Sequence, residues 1–358
     1  MVFPLKKLGS VLGAPALLFY TLPMLIVILV VGTIAQKWVG LHLALETYFY
    51  SWIIWKFFLP LPGGLLVMSA ITLNLSFKFL LHSRWVVAKV GTNLIHLGIL
   101  ILMIGGLGTI IFKQDGVIVL PPERPAQMTQ AYTETDFVIF KNEEYLQRIS
   151  FDDVHVGYNI ESLPFDLTIL ETCRSCRIEL RPDHTREGWI GAAGSMMLVD
   201  APAPLKAEET MQGLSFEVKG LDNAQDGKYL TFESFPKPPQ FQFEGDTYKV
   251  VIERHRTRLP FTLTLNEFRA EYYPGTLRAK DYISDVTVTD GAQIFDAVIT
   301  MNEPLRHAGY TFYQSSFIED SSVLAVVKNR ASLFPYISSL IVALGLFIHL
   351  ILLLRQRR

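Results

Sequence analysis

Four stretches of the chain are almost free of charge and long enough to cross a bilayer as helices, which takes about 20 apolar residues each. The stretches are residues 17–35, 59–77, 90–112 and a fourth within 332–358. The pattern predicts an N-terminal membrane region (1–113) with three transmembrane helices, and a C-terminal transmembrane helix with a short basic tail.

Residues 114–331 show a different pattern, because apolar and polar positions alternate there with a period of two, as in half-buried strands. The alternating or β-rich runs are Thr135–Lys141, Phe165–Leu170, Leu214–Val218, Tyr229–Phe235, Tyr248–Arg254, Pro260–Leu265, Ile283–Thr289 and Tyr310–Ser315. Turn-forming pairs such as Pro274-Gly275 and Asp290-Gly291 separate the runs. This segment is therefore predicted to be one large all-β domain, an antiparallel sandwich or an open barrel.

The basic residues predict the orientation, since segments rich in lysine and arginine stay on the cytoplasmic side. Three segments next to predicted helices carry bases and no acid, and their bases are Lys6, Lys7, Lys78, Arg84, Lys89, Arg355, Arg357 and Arg358. The pattern places both termini in the cytoplasm. It places residues 114–331 outside, on the periplasmic side of a bacterial inner membrane.

Charge is divided unevenly along this chain of 358 residues, of which 50% are hydrophobic. Residues 114–332 hold 33 of the 34 acidic residues and 21 of the 32 basic ones, a net charge of −12. Binding to nucleic acid relies on basic surfaces that neutralise phosphates. The charge pattern therefore argues against nucleic acid as a partner and leaves the lipid bilayer as the expected surroundings.

The loop between the first two predicted helices is rich in aromatic residues. It contains Trp38, Tyr48, Phe49, Tyr50, Trp52, Trp55, Phe57 and Phe58. Such side chains favour the membrane–water boundary, so an interfacial anchor is the first interpretation. A platform beside a flat apolar ligand or a partner helix is the second.

Two histidines fall inside predicted transmembrane helices, where an ionisable residue is costly and marks a functional site by default. His96 is seven residues after Lys89, and His349 is six residues before Arg355, so both lie about 10 Å from the cytoplasmic edge. Two imidazoles at matched depth can ligate one haem iron, or each can supply half of a site shared with another subunit. Alternatively, each only hydrogen-bonds a neighbouring helix, with Asn93 orienting or packing against His96.

The two cysteines of the chain, Cys173 and Cys176, form a C-x-x-C pattern in the outer segment. Arg177 follows where covalent haem attachment needs histidine, and two ligands alone cannot complete a zinc site. The spacing favours a local disulfide in an oxidising compartment. The alternative is a redox-active pair that exchanges with a partner's thiols, for which a thioredoxin-like thiol reductase would be the partner.

Seven short motifs are spread along the chain. They are Val31-Gly-Thr-Ile-Ala-Gln36, His96-Leu-Gly-Ile-Leu-Ile101, Leu259-Pro-Phe-Thr-Leu263, Glu271-Tyr-Tyr-Pro274, Ser284-Asp-Val-Thr-Val288, Met301-Asn-Glu-Pro-Leu305 and Gly309-Tyr-Thr-Phe-Tyr-Gln-Ser315. Together they resemble the ResB family, also named CcsB, of System II cytochrome c biogenesis proteins. The most specific part is the N-x-P-L…G-Y-x-F-Y-Q-S run, for which packing or partner docking is expected rather than catalysis. The order of three helices, an outer domain and a final helix also matches, so the resemblance covers nearly the whole chain.

The resemblance implies a function and partners. ResB-like proteins work with a CcsA-type (ResC-like) subunit that carries a Trp-rich haem-handling motif, and this chain, which lacks that motif, is similar to the separate ResB half. The pair moves haem b to the outer face of the membrane and attaches it to apocytochrome c. By resemblance, His96 is the principal axial ligand of the haem iron, and His349 or a partner histidine is the second. The chain would then be a subunit of a holocytochrome c synthetase (haem lyase) complex rather than a stand-alone enzyme.

Two other functions fit parts of the pattern. A b-type electron-transfer protein would keep a bis-histidine haem in this subunit alone and would not affect cytochrome c maturation. A membrane-anchored scaffold without cofactor would tolerate replacement of both intramembrane histidines. The N-x-P-L…G-Y-x-F-Y-Q-S match argues against both.

Overall fold

Helices and strands separate into two units in the structure, a computed structural model that describes residues 12–56, 58–221, 224–276 and 279–356. Unit 1 comprises Met1–Gln114, Arg306–Thr311 and Val327–Arg358, and unit 2 comprises Asp115–Leu305 and Phe312–Val326. Five residues used in the sequence predictions, Lys6, Lys7, Phe57, Arg357 and Arg358, lie outside the described residues.

Four helices in the described part of unit 1 are long and apolar enough to cross a membrane. They are α1 (Pro15–Val39), α2 (Gly64–His82), α3 (Val90–Phe112) and α4 (Phe334–Gln356). The prediction of four transmembrane helices is confirmed. The predicted second span, 59–77, is shifted towards the C-terminus, because Pro60 and Pro62 lie in a strand and the helix starts only after them.

The chain between α1 and α2 has regular structure of its own. A short helix (Leu41–Ala44) continues into a π-helical turn (Leu45–Phe49), and a hairpin follows, built from β1 (Ile53–Lys56) and β2 (Leu59–Pro62). The hairpin base is held by hydrogen bonds from the Gly63 backbone N–H to the Trp52 carbonyl and from the Leu65 N–H to the Ser51 carbonyl. The aromatic loop is therefore a structured element that leads directly into α2.

The remaining strands belong mostly to unit 2. They are β3 (Gln114–Leu120), β4 (Pro125–Lys141), β5 (Glu144–Ser150), β6 (Asp166–Cys173), β7 (Cys176–Leu180), β8 (Met196–Asp200), β9 (Gly213–Lys219), β10 (Gly227–Phe232), β11 (Gln240–Phe243), β12 (Asp246–Tyr272), β13 (Ala279–Asp290), β14 (Gln293–Ile299), β15 (Leu305–His307), β16 (Tyr310–Ile318) and β17 (Ser321–Lys328). In the described residues, ten strands form one sheet in the order β14-β13-β12-β4-β3-β17-β16-β15, with β11 paired to β12 and β5 to β4. Smaller sheets have the orders β10-β9-β6 and β7-β8.

The main core of unit 2 lies between the large sheet and the β10-β9-β6 sheet. Its buried residues include Phe137, Ile139, Leu167, Ile169, Leu214, Phe216, Val218, Phe241, Val250 and Ile252. In each strand they occupy alternate positions, because successive side chains of a strand point to opposite faces. The strand pairings around this core are antiparallel, which confirms the predicted antiparallel all-β domain.

The motif residues near the end of unit 2 build a second buried layer. Within it, the Ser284 hydroxyl lies 2.7 Å from both the Gln314 side-chain oxygen and the Ser322 hydroxyl. All three side chains are buried, and Phe261 of β12 meets Phe312 of β16 edge to face, with ring centres 5.8 Å apart. These buried polar residues thus satisfy one another inside the sheet and fix its packing.

Candidate functional site

Glycines recur every seven residues along α3, at Gly91, Gly98 and Gly105, and all three face α4. A Cβ on Gly91 would lie 2.6 Å from the backbone nitrogen of His349, and one on Gly98 would lie 2.6 Å from Cγ2 of Val342. Small residues at such positions let transmembrane helices approach closely. The two helices therefore pack almost backbone to backbone, and this packing fixes the position of His349 against the start of α3.

His349 of α4 lies beside the start of α3. The His349 Nδ1 atom is 3.5 Å from the hydroxyl oxygen of Thr92. Thr92 precedes His96 by four residues, so their side chains are neighbours on the helix surface, with Cβ atoms about 5–6 Å apart. His349 is exposed and His96 is half-buried. His349 therefore lies beside the turn of α3 that precedes His96.

Helix α2 lies beside the flank that carries His96. The Thr72 hydroxyl of α2 is 3.7 Å from the sulfur of Met103, which follows His96 by two helical turns on the same side of α3. His96 therefore lies on the side of α3 that faces α2.

Two buried asparagines hold the ends of the helices. The Asn93 side chain donates to the Arg84 carbonyl over 3.1 Å, which ties the start of α3 to the preceding connection. The Asn74 side chain of α2 donates to the carbonyls of Leu12 (2.5 Å) and Ala14 (2.9 Å), next to the start of α1. Asn93 thus uses its amide to position the helix that carries His96.

The residue types in this part of unit 1 suit haem, the cofactor expected from the sequence. Imidazole nitrogens are axial ligands of haem iron, and an ammonium group such as that of Lys78 suits the two carboxylates that haem carries. The surface near the histidines is apolar, since Ile99, Leu346 and Leu350 are exposed. A flat apolar ring can lie on such a surface with its iron at an imidazole.

The aromatic loop divides into a packed and an exposed part. The ring of Phe49 lies on Gly32 of the Val31–Gln36 motif, where a Cβ would come within 2.6 Å of the ring carbons. The exposed aromatic side chains are Trp38, Tyr50, Trp52, Trp55 and Phe58. Gly32 therefore has a packing reason to be glycine, and the exposed side chains remain free to meet lipid or a partner.

Cys173 and Cys176 form a disulfide bond in the structure. The bond joins the end of β6 to the start of β7, and both residues are buried. Arg174 between them pairs with Asp152 at 2.7 Å. The pair lies in unit 2, whereas His96 and His349 lie in unit 1.

Sequence reasoning singled out His96 and His349 but missed the glycines and Thr92. The seven-residue glycine spacing was visible in the sequence and is typical of a close helix–helix seam. The contact between His349 and Thr92 carries no sequence signal, because it depends on how α3 and α4 are aligned.

Comparison with known proteins finds a family similarity over part of the chain. Residues 241–334, from β11 to the start of α4, match the model of the ResB-like family. Protein NrfI of Wolinella succinogenes is 31% identical over 97 residues, which make up 26% of this chain and 11% of that protein. The alignment therefore spans about a tenth of the length of this curated relative. The matched family segment includes the Leu259–Leu263 and Gly309–Ser315 motifs. Residues 241–334 of the chain are therefore similar to the ResB-like family.

Proposed function

We propose that this chain is a subunit of a System II cytochrome c maturation complex. With a CcsA-type partner, it carries haem b across the membrane and supports the covalent attachment of haem to apocytochrome c. The observation that carries the proposal is the ResB-like match over residues 241–334, in a chain with four helices long and apolar enough to cross a membrane, of which α3 carries His96 and α4 carries His349.

The proposal includes an orientation in the membrane. Both termini face the cytoplasm and unit 2 faces the periplasm of a bacterial inner membrane, as the basic residues Lys78, Arg84 and Lys89 of the α2–α3 connection support. In this orientation His96 and His349 lie towards the cytoplasmic side, where newly made haem would enter. Unit 2 would meet apocytochrome c or brace the partner on the outer side.

His96 acts as the principal ligand of the haem iron in this proposal. The helix that carries the half-buried His96 is fixed by the glycine seam and by the Asn93–Arg84 hydrogen bond, so α3 is in place before haem arrives. His349 or a histidine of the CcsA-type partner supplies the second axial ligand. The exposure of His349 supports this arrangement, because a partner helix can approach it.

The Cys173–Cys176 disulfide gives the proposal a secondary prediction. If a thioredoxin-like thiol reductase acts on this pair during maturation, replacing both cysteines with serine lowers the yield of cytochrome c. If the disulfide only closes the β6–β7 turn, the double variant lowers the stability of unit 2 and leaves the yield per folded molecule unchanged.

The test is covalent haem attachment in cells. A strain in which this chain is deleted is complemented with the wild-type chain, with His96→Ala, or with His184→Ala, an exposed histidine of unit 2. C-type cytochromes are then quantified by haem staining after denaturing electrophoresis. The proposal predicts haem-stained cytochromes with the wild type and with His184→Ala. It predicts their loss in the strain without the chain and in the strain with His96→Ala. Unchanged cytochromes in the deletion strain would contradict it and favour the b-type electron-transfer or scaffold alternatives.

A further inference from the structure

Strand β14 (Gln293–Ile299) lies at one end of the large sheet of unit 2, and among the described residues it pairs with β13 alone. Native edge strands are usually short, broken by a bulge or proline, or marked by lysine. The β13–β14 ladder instead runs over seven residue pairs without a register shift, and β14 contains neither proline nor lysine. It is therefore an open edge to which another strand can be added.

The hairpin between β13 and β14 determines which backbone groups of β14 face outward. Its turn has two residues, Gly291 and Ala292, and Asp290 pairs with Gln293 to close it. The closing pair of a two-residue hairpin is hydrogen-bonded, and hydrogen-bonded and non-hydrogen-bonded pairs then alternate along the ladder. Every second residue after Gln293 is therefore bonded to β13, and the residues between them direct their N–H and C=O groups away from the sheet.

The outward-facing residues of β14 are Ile294, Asp296 and Val298. The contacts of β13 support this assignment, because the Thr289 carbonyl, opposite Ile294, faces β12 and accepts from the Thr262 hydroxyl over 3.5 Å. Three N–H and three C=O groups of β14 thus remain for a further strand. Main-chain hydrogen bonds of this kind provide affinity when an extended peptide adds to the edge of a sheet.

The same three residues form a row of side chains on the solvent face, since side chains two apart along a strand share a face. Ile294 is 69% exposed and Val298 is 57% exposed, and Asp296 between them is exposed as well. Asp296 accepts from the Thr287 hydroxyl over 2.6 Å, and it has no basic partner within the part of the chain that the structure describes. The edge therefore offers two apolar side chains with one unneutralised carboxylate between them.

The neighbouring strands add negative charge to this face. Asp285 of β13 lies opposite Val298, and Glu267 of β12 lies opposite Asp285. Arg269 lies 2.8 Å from Glu267 and 2.9 Å from Asp285. One guanidinium thus serves two carboxylates, and with Asp296 the surface keeps an excess of negative charge. A basic side chain in an added strand is attracted to such a surface, and an acidic one is repelled.

A second copy of β14 does not suit this edge. In antiparallel pairing about a two-fold axis, the register that sets Ile294 against Val298 brings the two copies of Asp296 face to face, and like charges directly opposite are destabilising. We propose that β14 binds an extended segment of another protein by strand addition. The segment carries lysine or arginine opposite Asp296 and apolar residues two positions to either side.

The test uses the full-length protein in a non-ionic detergent and a fluorophore-labelled peptide of the sequence Thr-Val-Thr-Lys-Thr-Val-Thr. Fluorescence anisotropy measures its affinity and that of a matched peptide with glutamate in place of lysine. The lysine peptide is expected to bind, and the glutamate peptide to bind at least about fivefold more weakly, because an attractive pair becomes a repulsive one. Absence of binding, or equal affinity of the two peptides, would overturn the proposal. A dimer in light scattering that Val298→Pro dissociates would also overturn it, since a second copy would then occupy the edge.

Variants of Val298 separate the edge from the fold. Val298→Pro removes an outward N–H and no hydrogen bond of the β13–β14 ladder, and edge strands accept proline at such positions. It is expected to weaken the lysine peptide by about tenfold and to leave the thermal midpoint close to that of the wild type. Val298→Thr keeps the N–H and the side-chain shape, so it is expected to keep most of the affinity. Equal binding by the two variants would show that the peptide does not pair with this edge.

A charge reversal covers the case in which Val298→Pro does not fold. Asp296→Lys changes an exposed side chain, and it is expected to reverse the preference, so that the glutamate peptide binds about fivefold more tightly than the lysine peptide. An unchanged preference would contradict the proposal. The site does not depend on haem binding, so His96→Ala is expected to leave peptide binding unchanged.

Discussion

Replacing Gly91 with alanine tests whether the glycine seam between α3 and α4 determines the position of His349. The new Cβ would lie 2.6 Å from the His349 backbone nitrogen, 2.7 Å from the Gly345 carbonyl oxygen and 2.8 Å from the His349 Cα. Ordinary van der Waals contact of a Cβ begins at 3.4 Å. The atoms it meets belong to the backbone of α4, so they cannot turn aside as a flexible side chain could.

The helix α4 must therefore move away from α3 by about 0.6–0.8 Å at this point. Overpacking of this kind costs about 1–3 kcal/mol. Gly106 lies on the same helix with nothing within 4 Å of its added Cβ, so Gly106→Ala is the matched control. Alanine there is expected to be neutral or to stabilise the helix by up to about 1 kcal/mol.

The assay is unfolding of the purified protein in mixed micelles by titration with dodecyl sulfate, followed by far-ultraviolet circular dichroism. The free energy of unfolding is expected to fall for Gly91→Ala and to stay equal or rise for Gly106→Ala. If the two variants are equally stable, α3 and α4 do not pack as closely as the structure shows, and the contact between His349 and Thr92 would lose its support.

Three further predictions concern unit 2. Ser284→Ala leaves Gln314 and Ser322 with an incomplete buried network and is expected to lower the free energy of unfolding by about 1–3 kcal/mol in urea titrations, whereas Ser316→Ala, at an exposed side chain, is expected to have little effect. Arg254→Lys cannot make the hydrogen bonds that its guanidinium makes with Glu233, Tyr132, Glu208 and Thr210, so a loss of about 2–4 kcal/mol is expected; a loss below about 0.5 kcal/mol would contradict the assigned role of Arg254. Burial raises the pKa of Glu233 above its ordinary value of 4.5, although Arg254 acts in the opposite direction. The folded protein therefore holds the proton of the Glu233 carboxyl group more tightly than the unfolded chain does. The stabilisation that comes from protonated Glu233 is fully present below pH 4.5 and is lost as the pH rises through the folded-state pKa. Urea midpoints measured between pH 4 and pH 8 are expected to show this loss in the wild type and not in Glu233→Gln, and parallel curves for the two would refute the assignment.

The sequence predicted the transmembrane helices well because their signal is local and strong. Residues 90–112 coincide with α3, since charged residues border the apolar stretch at both ends. The second span was predicted to start too early because Leu59 and Leu61 are apolar and extend the hydrophobic stretch. Pro60, Pro62 and Gly63 instead favour the extended hairpin that precedes α2.

A proline also bears on a difference between the predicted and the observed strands of unit 2. The runs Tyr248–Arg254 and Pro260–Leu265 were predicted as separate strands, but both lie in the single strand β12. Pro260 is tolerated there because the pairing of β12 with β4 shifts register between Arg258 and Leu263, where no ladder hydrogen bond needs its missing N–H.

The candidate sites differ in how far the sequence could reveal them. An isolated histidine in an apolar helix is conspicuous, so His96 and His349 were identified from position alone. The contacts of Arg254 with Glu233 and three backbone carbonyls could not be, since these residues are ordinary in β-rich sequences. They depend on how the end of β10 lies beside β12, where Glu233 and Ile252 form a parallel bridge.

The most direct test of the account is the visible spectrum of the protein, purified together with the proposed CcsA-type partner, as wild type, His96→Ala and His184→Ala. The account predicts a haem Soret band in the wild type and in His184→Ala, and its loss or strong reduction in His96→Ala. The His349→Ala spectrum then shows whether the second ligand comes from this chain. An unchanged Soret band in His96→Ala, with cytochrome c maturation intact, would contradict the central claim that His96 ligates the haem that this protein carries.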